Sequence, residues 1–194
     1  MSEESPTILE ASGAMGETPA RSRVALPESA SVRLLPDAAR FALRGAADAL
    51  AAAAAALELP EPEAACRAST GAGRALLWLG PDERLILAPE DETDSLAARL
   101  KAALTMPHSL VDVSHRQLAL EVSGPAAAAL INCGCPLDLH LRAFPVDTCT
   151  RTVLNRAEIV LWRTSAEAFR IEVSRSFARY AARLLADAEQ EILT

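Results

Sequence analysis

Residues 112–149 read DVSHRQLALEVSGPAAAALINCGCPLDLHLRAFPVDTC. With the preceding Leu110-Val111, this stretch opens with two short β-prone runs, LVDVS and QLALEV, around the polar His115-Arg116. Ser123-Gly124-Pro125 then introduces AAAALIN. A proline just inside a helix start after a Ser or Gly cap, and Gly134 just past its end, predict a short helix with marked limits. Strands closed by a helix are the unit from which the fold is read.

The same unit recurs on both sides. ALLWL and RLILA flank Gly80-Pro81-Asp82, which favours a turn, so the pair predicts a hairpin. A helix follows over about Thr93–Leu104, with Asp91, Glu92 and Asp94 at its start, Lys101 near its end, and Leu96, Leu100 and Leu104 at helical spacing. After Cys149 come TRTVL, AEIVLWR and AFRIEV, then a final helix from about Ser174. On that helix Phe177, Tyr180, Leu184 and Leu185 are expected to share the buried face, leaving Arg175, Arg179, Arg183 and Glu189 wet. Upstream, SVRLLP and ARFALRG read as extended, AADALAAAAAALEL as a helix ended by Pro60 and Pro62, and residues 61–73 as a loop.

Runs of short strands closed by helices predict an α+β fold: an antiparallel or mixed sheet with helices packed on one side. Neither a G-x-G-x-x-G nor a G-x-x-x-x-G-K-[ST] phosphate loop occurs, which opposes a parallel nucleotide-binding sheet. Residues 1–30, rich in Ser, Glu, Pro, Thr and Gly, read as a disordered or partner-bound arm, and 31–194 as one domain.

The chain has 194 residues and a formal charge of -7, with no block of Lys and Arg, which opposes a nucleic-acid or anionic-membrane partner. Its apolar fraction of 51% contains only 4% aromatics, so many buried positions must be small. Glu3 and Glu4 stand where a secretory signal needs positive charge, and Ala46–Leu57 is too short to span a bilayer. A cytoplasmic location is expected, with Cys66, Cys133, Cys135 and Cys149 as thiols.

No residue set assembles a self-sufficient active site. Cys133-Gly134-Cys135 with His140 and Cys149 supplies zinc-ligand types, but one residue between paired cysteines is poor spacing for a tetrahedral site, so a metal hydrolase is disfavoured. Asp112, Ser114 and His115 suggest a hydrolase. In an extended segment, however, Asp112, Ser114 and Arg116 face one way and His115 the other, whereas a triad needs its His against both partners. Asp112 and Arg116 are instead placed for a same-face ion pair. Asp82 and Glu83 fit turn chemistry, and Trp78 and Trp162 fit core or interface anchors. The expected interface or structural residues are therefore Trp78, Asp112, His115, Arg116 and Trp162, with no catalytic, cofactor-binding or metal-binding residue.

LWLGPDERLIL at 77–87, VDVSHRQ at 111–117, VSGPAA at 122–127, CGCPLDLHLRAFP at 133–145, CTRT at 149–152, VLWR at 160–163 and VSRSFARY at 173–180 together resemble the gamma subunit of bacterial heterotetrameric sarcosine oxidase. The resemblance covers roughly the C-terminal two-thirds in the same order. It implies a structural subunit, similar in fold to the folate-binding domain of the glycine-cleavage aminomethyltransferase. The partners implied are alpha, beta and delta subunits holding FAD, FMN, NAD and tetrahydrofolate. Such a complex oxidises sarcosine to glycine, giving hydrogen peroxide and formaldehyde or methylene-tetrahydrofolate. The alternative is a stand-alone folate-binding or aminomethyl-transfer protein. Two positions depart from the family: Arg84, where an aromatic is frequent, and Asp147, where Gly is usual and a positive φ is therefore expected.

Overall fold

The computed structural model describes residues 23–25 and 30–192, with side chains described over 30–189. Most of the expected arm over 1–30 lies outside the described residues. Within it, Arg23–Ala25 forms a strand, β1, antiparallel to β2 (Ser31–Leu34). The chain divides into two compact units: 1–36 with 117–146 and 151–194, and 37–116 with 147–150. The sequence reading did not separate 31–194 in this way.

The second unit is a five-stranded sheet with two helices. Its strands are β3 (Ala38–Gly45), β4 (Ala68–Gly71), β5 (Arg74–Gly80), β6 (Glu83–Pro89) and β7 (His108–Asp112), in the order β4-β5-β6-β3-β7, all pairs antiparallel. Alternation along β3 sends Ala39, Phe41 and Leu43 into one core with α1 (Ala47–Leu57) and α2 (Thr93–Ala103). Alanines at 49, 53 and 54 let α1 lie close to the sheet. A Cβ at Gly45 would come within 2.7 Å of the Ala49 Cβ, so glycine is required where β3 enters α1.

α1 ends before the prolines. Glu58 turns left-handed (φ 60), and the amides of Glu58 and Leu59 return to the carbonyls of Ala55 and Ala54. This Schellman pattern satisfies the last carbonyls without Pro60. The expected loop over 61–73 contains β4, whose run Ala68–Gly71 is short and carries little apolar signal.

The first unit is a six-stranded sheet, β1-β2-β8-β11-β10-β9, containing β8 (Gln117–Ser123), β9 (Cys149–Leu154), β10 (Ala157–Ser165) and β11 (Ala168–Ser174). Val32, Leu120, Val122, Leu161, Phe169 and Ile171 pack with α3 (Ala127–Asn132) and α4 (Arg175–Ile192). The buried stripe of α4 is Ala178, Ala181, Ala182, Leu185 and Ala188, while Phe177 is 42% exposed and meets Tyr180 edge-on. The small side chains face the sheet here, contrary to the expected Phe177 face. A sheet with helices packed against its core face is thus present in each unit, in agreement with the α+β expectation.

The segment 112–149 holds the largest correction to local structure. The two β-prone runs LVDVS and QLALEV fall in one unit of the sequence pattern, but β7 joins β3 in one sheet and β8 joins β2 and β11 in the other. Alternation specifies which face of a strand is buried, not which strand lies beside it. Between them, Ser114–Arg116 forms a short 3-10 turn, so period-2 alternation does not continue through His115 and Arg116. α3 lies where expected, with Gly134 beyond it; a Cβ there would meet Leu184 at 3.0 Å and Leu154 at 3.1 Å.

Candidate docking surface

The turn after β7 is built on backbone anchoring. The Val113 amide donates to the Arg40 carbonyl at 2.8 Å, and the Arg40 amide donates to Ser114 Oγ at 2.9 Å. Ser114 donates in turn, from its amide (2.8 Å) and its hydroxyl (2.6 Å), to Asp112 Oδ1. Its hydroxyl proton is therefore held by a carboxylate and its lone pair by an amide. This is the bonding of a turn rather than of a nucleophile served by a histidine base.

The Ser114 hydroxyl, then its amide, and to a lesser degree the charge of His115, hold the Asp112 carboxyl below the usual range. The expected Asp112–Arg116 ion pair is replaced by these Ser114 bonds. Asp112, His115 and Arg116 are all exposed, beside Val111 at 50% exposure. β7 is also an edge strand. One corner of the second unit thus presents an apolar side chain, charges of both signs and an open strand edge, a combination suited to docking rather than to bond chemistry.

Trp78 belongs to a different part of that sheet, three strands from β7. It stands directly opposite Arg84, whose guanidinium lies 3.8 Å from the Trp78 ring centroid. Arg84 is only 2% exposed. It donates to the carbonyls of Gly80 (2.9 Å) and Glu83 (3.0 Å) and pairs with Glu61 at 3.2 Å. The cation fills the position of an aromatic ring by stacking on one.

Trp162 lies in the first unit, opposite Arg170, and the register continues to Glu121 and Arg33. Arg33 pairs with Glu121 at 2.8 Å, and Arg170 with the buried Glu172 at 2.7 Å. Sequence reasoning missed this charged ladder, and likewise the buried guanidinium of Arg163. Arg163 lies 4.2 Å from the Phe169 ring centroid, bonds the carbonyls of Leu139 and Ala166, and has its pKa drawn down by burial. Charged residues inside otherwise apolar strands, such as Arg163 after AEIVLW, were the available signal.

The zinc-type residues are divided between the units and otherwise engaged. Cys133 Sγ faces the Ala129 carbonyl, Cys135 Sγ lies 3.9 Å from Thr152 Oγ1, and His140 Nδ1 accepts the Arg142 amide. Cys149, in the second unit, directs its thiol to the Trp78 carbonyl, and burial pushes its pKa up to about 12. Among the described residues, no three or more His, Cys, Asp or Glu side chains gather as a metal ion would require. No helix among them is long and apolar enough to cross a membrane.

Comparison with known proteins places this geometry. The model of the sarcosine oxidase, gamma subunit family matches residues 42–191. Sarcosine oxidase subunit gamma of Corynebacterium sp. (strain P-1) is 43% identical over 120 residues, 61% of this chain and 58% of that protein. The Arthrobacter sp. subunit gamma is 40% identical over 125 residues, 64% of this chain and 61% of that protein. The matches thus span about three-fifths of these relatives' own length. A chain of the heterotetrameric sarcosine oxidase from Corynebacterium sp. U-96, solved with pyrrole 2-carboxylate, superposes with a TM-score of 0.80 at 34% identity, covering 87% of this chain and 88% of that one. The glycine cleavage system aminomethyltransferase T of Bartonella henselae shares the fold, with a TM-score of 0.59 at 19% identity, over 78% of this chain and 44% of that protein. On the family match, which spans well over half of its residues, the chain belongs to the sarcosine oxidase gamma subunit family.

Proposed function

We propose that this chain is a non-catalytic assembly subunit of a heterotetrameric sarcosine oxidase. In that complex, alpha, beta and delta subunits carry FAD, FMN, NAD and tetrahydrofolate and demethylate sarcosine to glycine in the cytoplasm, with hydrogen peroxide and formaldehyde or methylene-tetrahydrofolate as the other products. The observation carrying the proposal is the near-complete superposition on a chain of a heterotetrameric sarcosine oxidase. The β7 corner supports it by presenting an open strand edge and mixed charge where a partner subunit would dock. In this reading Trp78, stacked with Arg84, and Trp162, opposite Arg170 in register, are structural anchors. A stand-alone aminomethyl-transfer or folate-binding protein receives less support, because its fold relative matches over only 44% of its own length.

The deciding experiment is expression of the chain alone and together with the three candidate partner subunits. The expected result is a colourless chain alone and a yellow, stoichiometric complex with sarcosine-dependent peroxide production. Absence of any complex, with tight tetrahydrofolate binding by the lone chain, would replace this reading with the second. Within the complex, Asp112→Arg and Arg116→Glu should each lower the yield of assembled tetramer while leaving the lone chain's circular dichroism unchanged. Full assembly of both variants would remove the corner from the interface.

A further inference from the structure

We propose that Cys66 and Cys149 are a peroxide-responsive thiol pair that closes to a disulfide. The observation is one of register. Arg67 and Thr148 form an antiparallel bridge, and the Cys149 amide donates to the Cys66 carbonyl at 2.8 Å. The Ala68 amide likewise donates to the Asp147 carbonyl at 2.8 Å on the other side of the bridge. Cys66 and Cys149 therefore stand opposite one another beside the bridge, joined by one backbone hydrogen bond.

Such neighbours have Cα atoms about 5.5 Å apart, inside the span a disulfide bridges. Arg67 Nη1 donates to Thr148 Oγ1 at 3.0 Å across the bridge itself; Cys66 departs from strand geometry (φ 59), so closing the bond requires this exposed corner to turn its thiol toward Cys149.

The two thiols differ in a way that orders the chemistry. Cys66 is exposed, on a left-handed corner (φ 59) where the chain turns toward β4. Cys149 is buried, and its surroundings hold it as the thiol. Hydrogen peroxide therefore meets Cys66 first. The Cys66 sulfur attacks one peroxide oxygen; the S–O bond forms, the O–O bond breaks, and the departing oxygen leaves as water, giving a sulfenic acid. The Cys149 sulfur then attacks the Cys66 sulfur. The S–S bond forms, the S–O bond breaks, and the Cys149 proton goes to the departing hydroxide. The two sulfurs together lose two electrons and one peroxide becomes two waters. The bond would tie 147–150 covalently to the strand edge against which it now lies by hydrogen bonds. An oxidase releasing peroxide would supply the oxidant in place, a source that rests on the functional reading above; the thiol chemistry itself does not.

The test treats the full chain with reagent hydrogen peroxide, blocks remaining thiols with N-ethylmaleimide and digests with trypsin. Cleavage after Lys and Arg places Cys66 in peptide 45–67, Cys149 in 143–151, and Cys133 with Cys135 in 117–142. The expected product is peptide 45–67 joined to 143–151 with the loss of two hydrogens, reversed by dithiothreitol. In Cys149→Ser, Cys66 should instead persist as a sulfenic acid trapped by dimedone, and in Cys66→Ser, Cys149 should stay reduced. Cys66 over-oxidised to sulfinic acid with Cys149 still free in the wild-type chain, or joined to the 117–142 peptide, would overturn the proposal. That wild-type measurement stands even if a serine variant misfolds. It is also independent of complex formation, so its failure and that of the assembly reading are separable.

Discussion

At the scale of single residues, Arg84 and Asp147 show how far composition misleads about charge. Arg84 is almost wholly buried, yet stacks on Trp78, pairs with the partly exposed Glu61 and donates to two carbonyls. Arg84→Ala should cost about 2–3 kcal/mol in urea unfolding, since it strands Glu61 and two carbonyls at once. Arg84→Tyr should recover part of that loss by restoring contact with Trp78. Asp147 has φ 64, the left-handed conformation expected from its place in the family pattern. Asp147→Gly should leave stability within about 1 kcal/mol of the wild type, whereas Asp147→Val should lose about 1–2 kcal/mol, the usual penalty for forcing a bulky residue left-handed. The depressed carboxyl of Asp112 makes a pH prediction. Its folded value lies below its unfolded one, so the stabilisation is present above about pH 4 and disappears as pH falls through the folded value. The difference between wild type and Asp112→Asn in denaturation should follow that course. A difference that persisted unchanged in acid would count against the Ser114 bonds as its cause. Asp147 was legible because the pattern demanded a glycine-like residue; Arg84 was not, because a strand sequence does not report what lies beside it.

Among the elements, the hairpin β5–β6, the helices α2 and α3 and the strands β8–β11 were legible because their limits are written locally, by Gly80-Pro81-Asp82, by acidic first turns and by Gly124-Pro125. Three features were not. β4 has too few apolar residues to signal a strand, the burial of α4 falls on alanines rather than on Phe177, and β7 and β8 belong to separate sheets. The last two depend on neighbours distant in sequence, whereas β4 pairs with β5 across a two-residue turn and lacks only the apolar pattern. The candidate surface was legible only as a set of names: Asp112, His115 and Arg116 do share a corner, but Trp78 and Trp162 lie elsewhere. The junction of β3 with α1 offers a sharp test. Gly45→Ala would place a methyl group 2.7 Å from the Ala49 Cβ, so strand and helix must separate. A loss of about 1–3 kcal/mol is expected by thermal or chemical unfolding. Tightly packed alanines cannot retract as a long side chain would, and a neutral Gly45→Ala would show that α1 shifts freely.

At the scale of the molecule, the first unit is assembled from three chain segments and the second from two. Folding of 37–116 brings the ends of the first unit's first two segments toward one another, which shortens the loop that the six-stranded sheet must close. We therefore propose that 31–194 unfolds as one domain, in a single cooperative transition. Differential scanning calorimetry checks it: one transition with equal calorimetric and van't Hoff enthalpies is expected, and two resolved transitions would make the units independent domains.

The interrupted course of the first unit also bears on synthesis. β2 pairs with β8, so Ser31 waits for Ser123 and Val32 for Val122. A ribosome delivers those partners many seconds apart, and most of the second unit emerges in between. Until then the earliest strands of the six-stranded sheet present a free edge to solvent, making the nascent chain, rather than the finished fold, the form most exposed to aggregation and most dependent on chaperones.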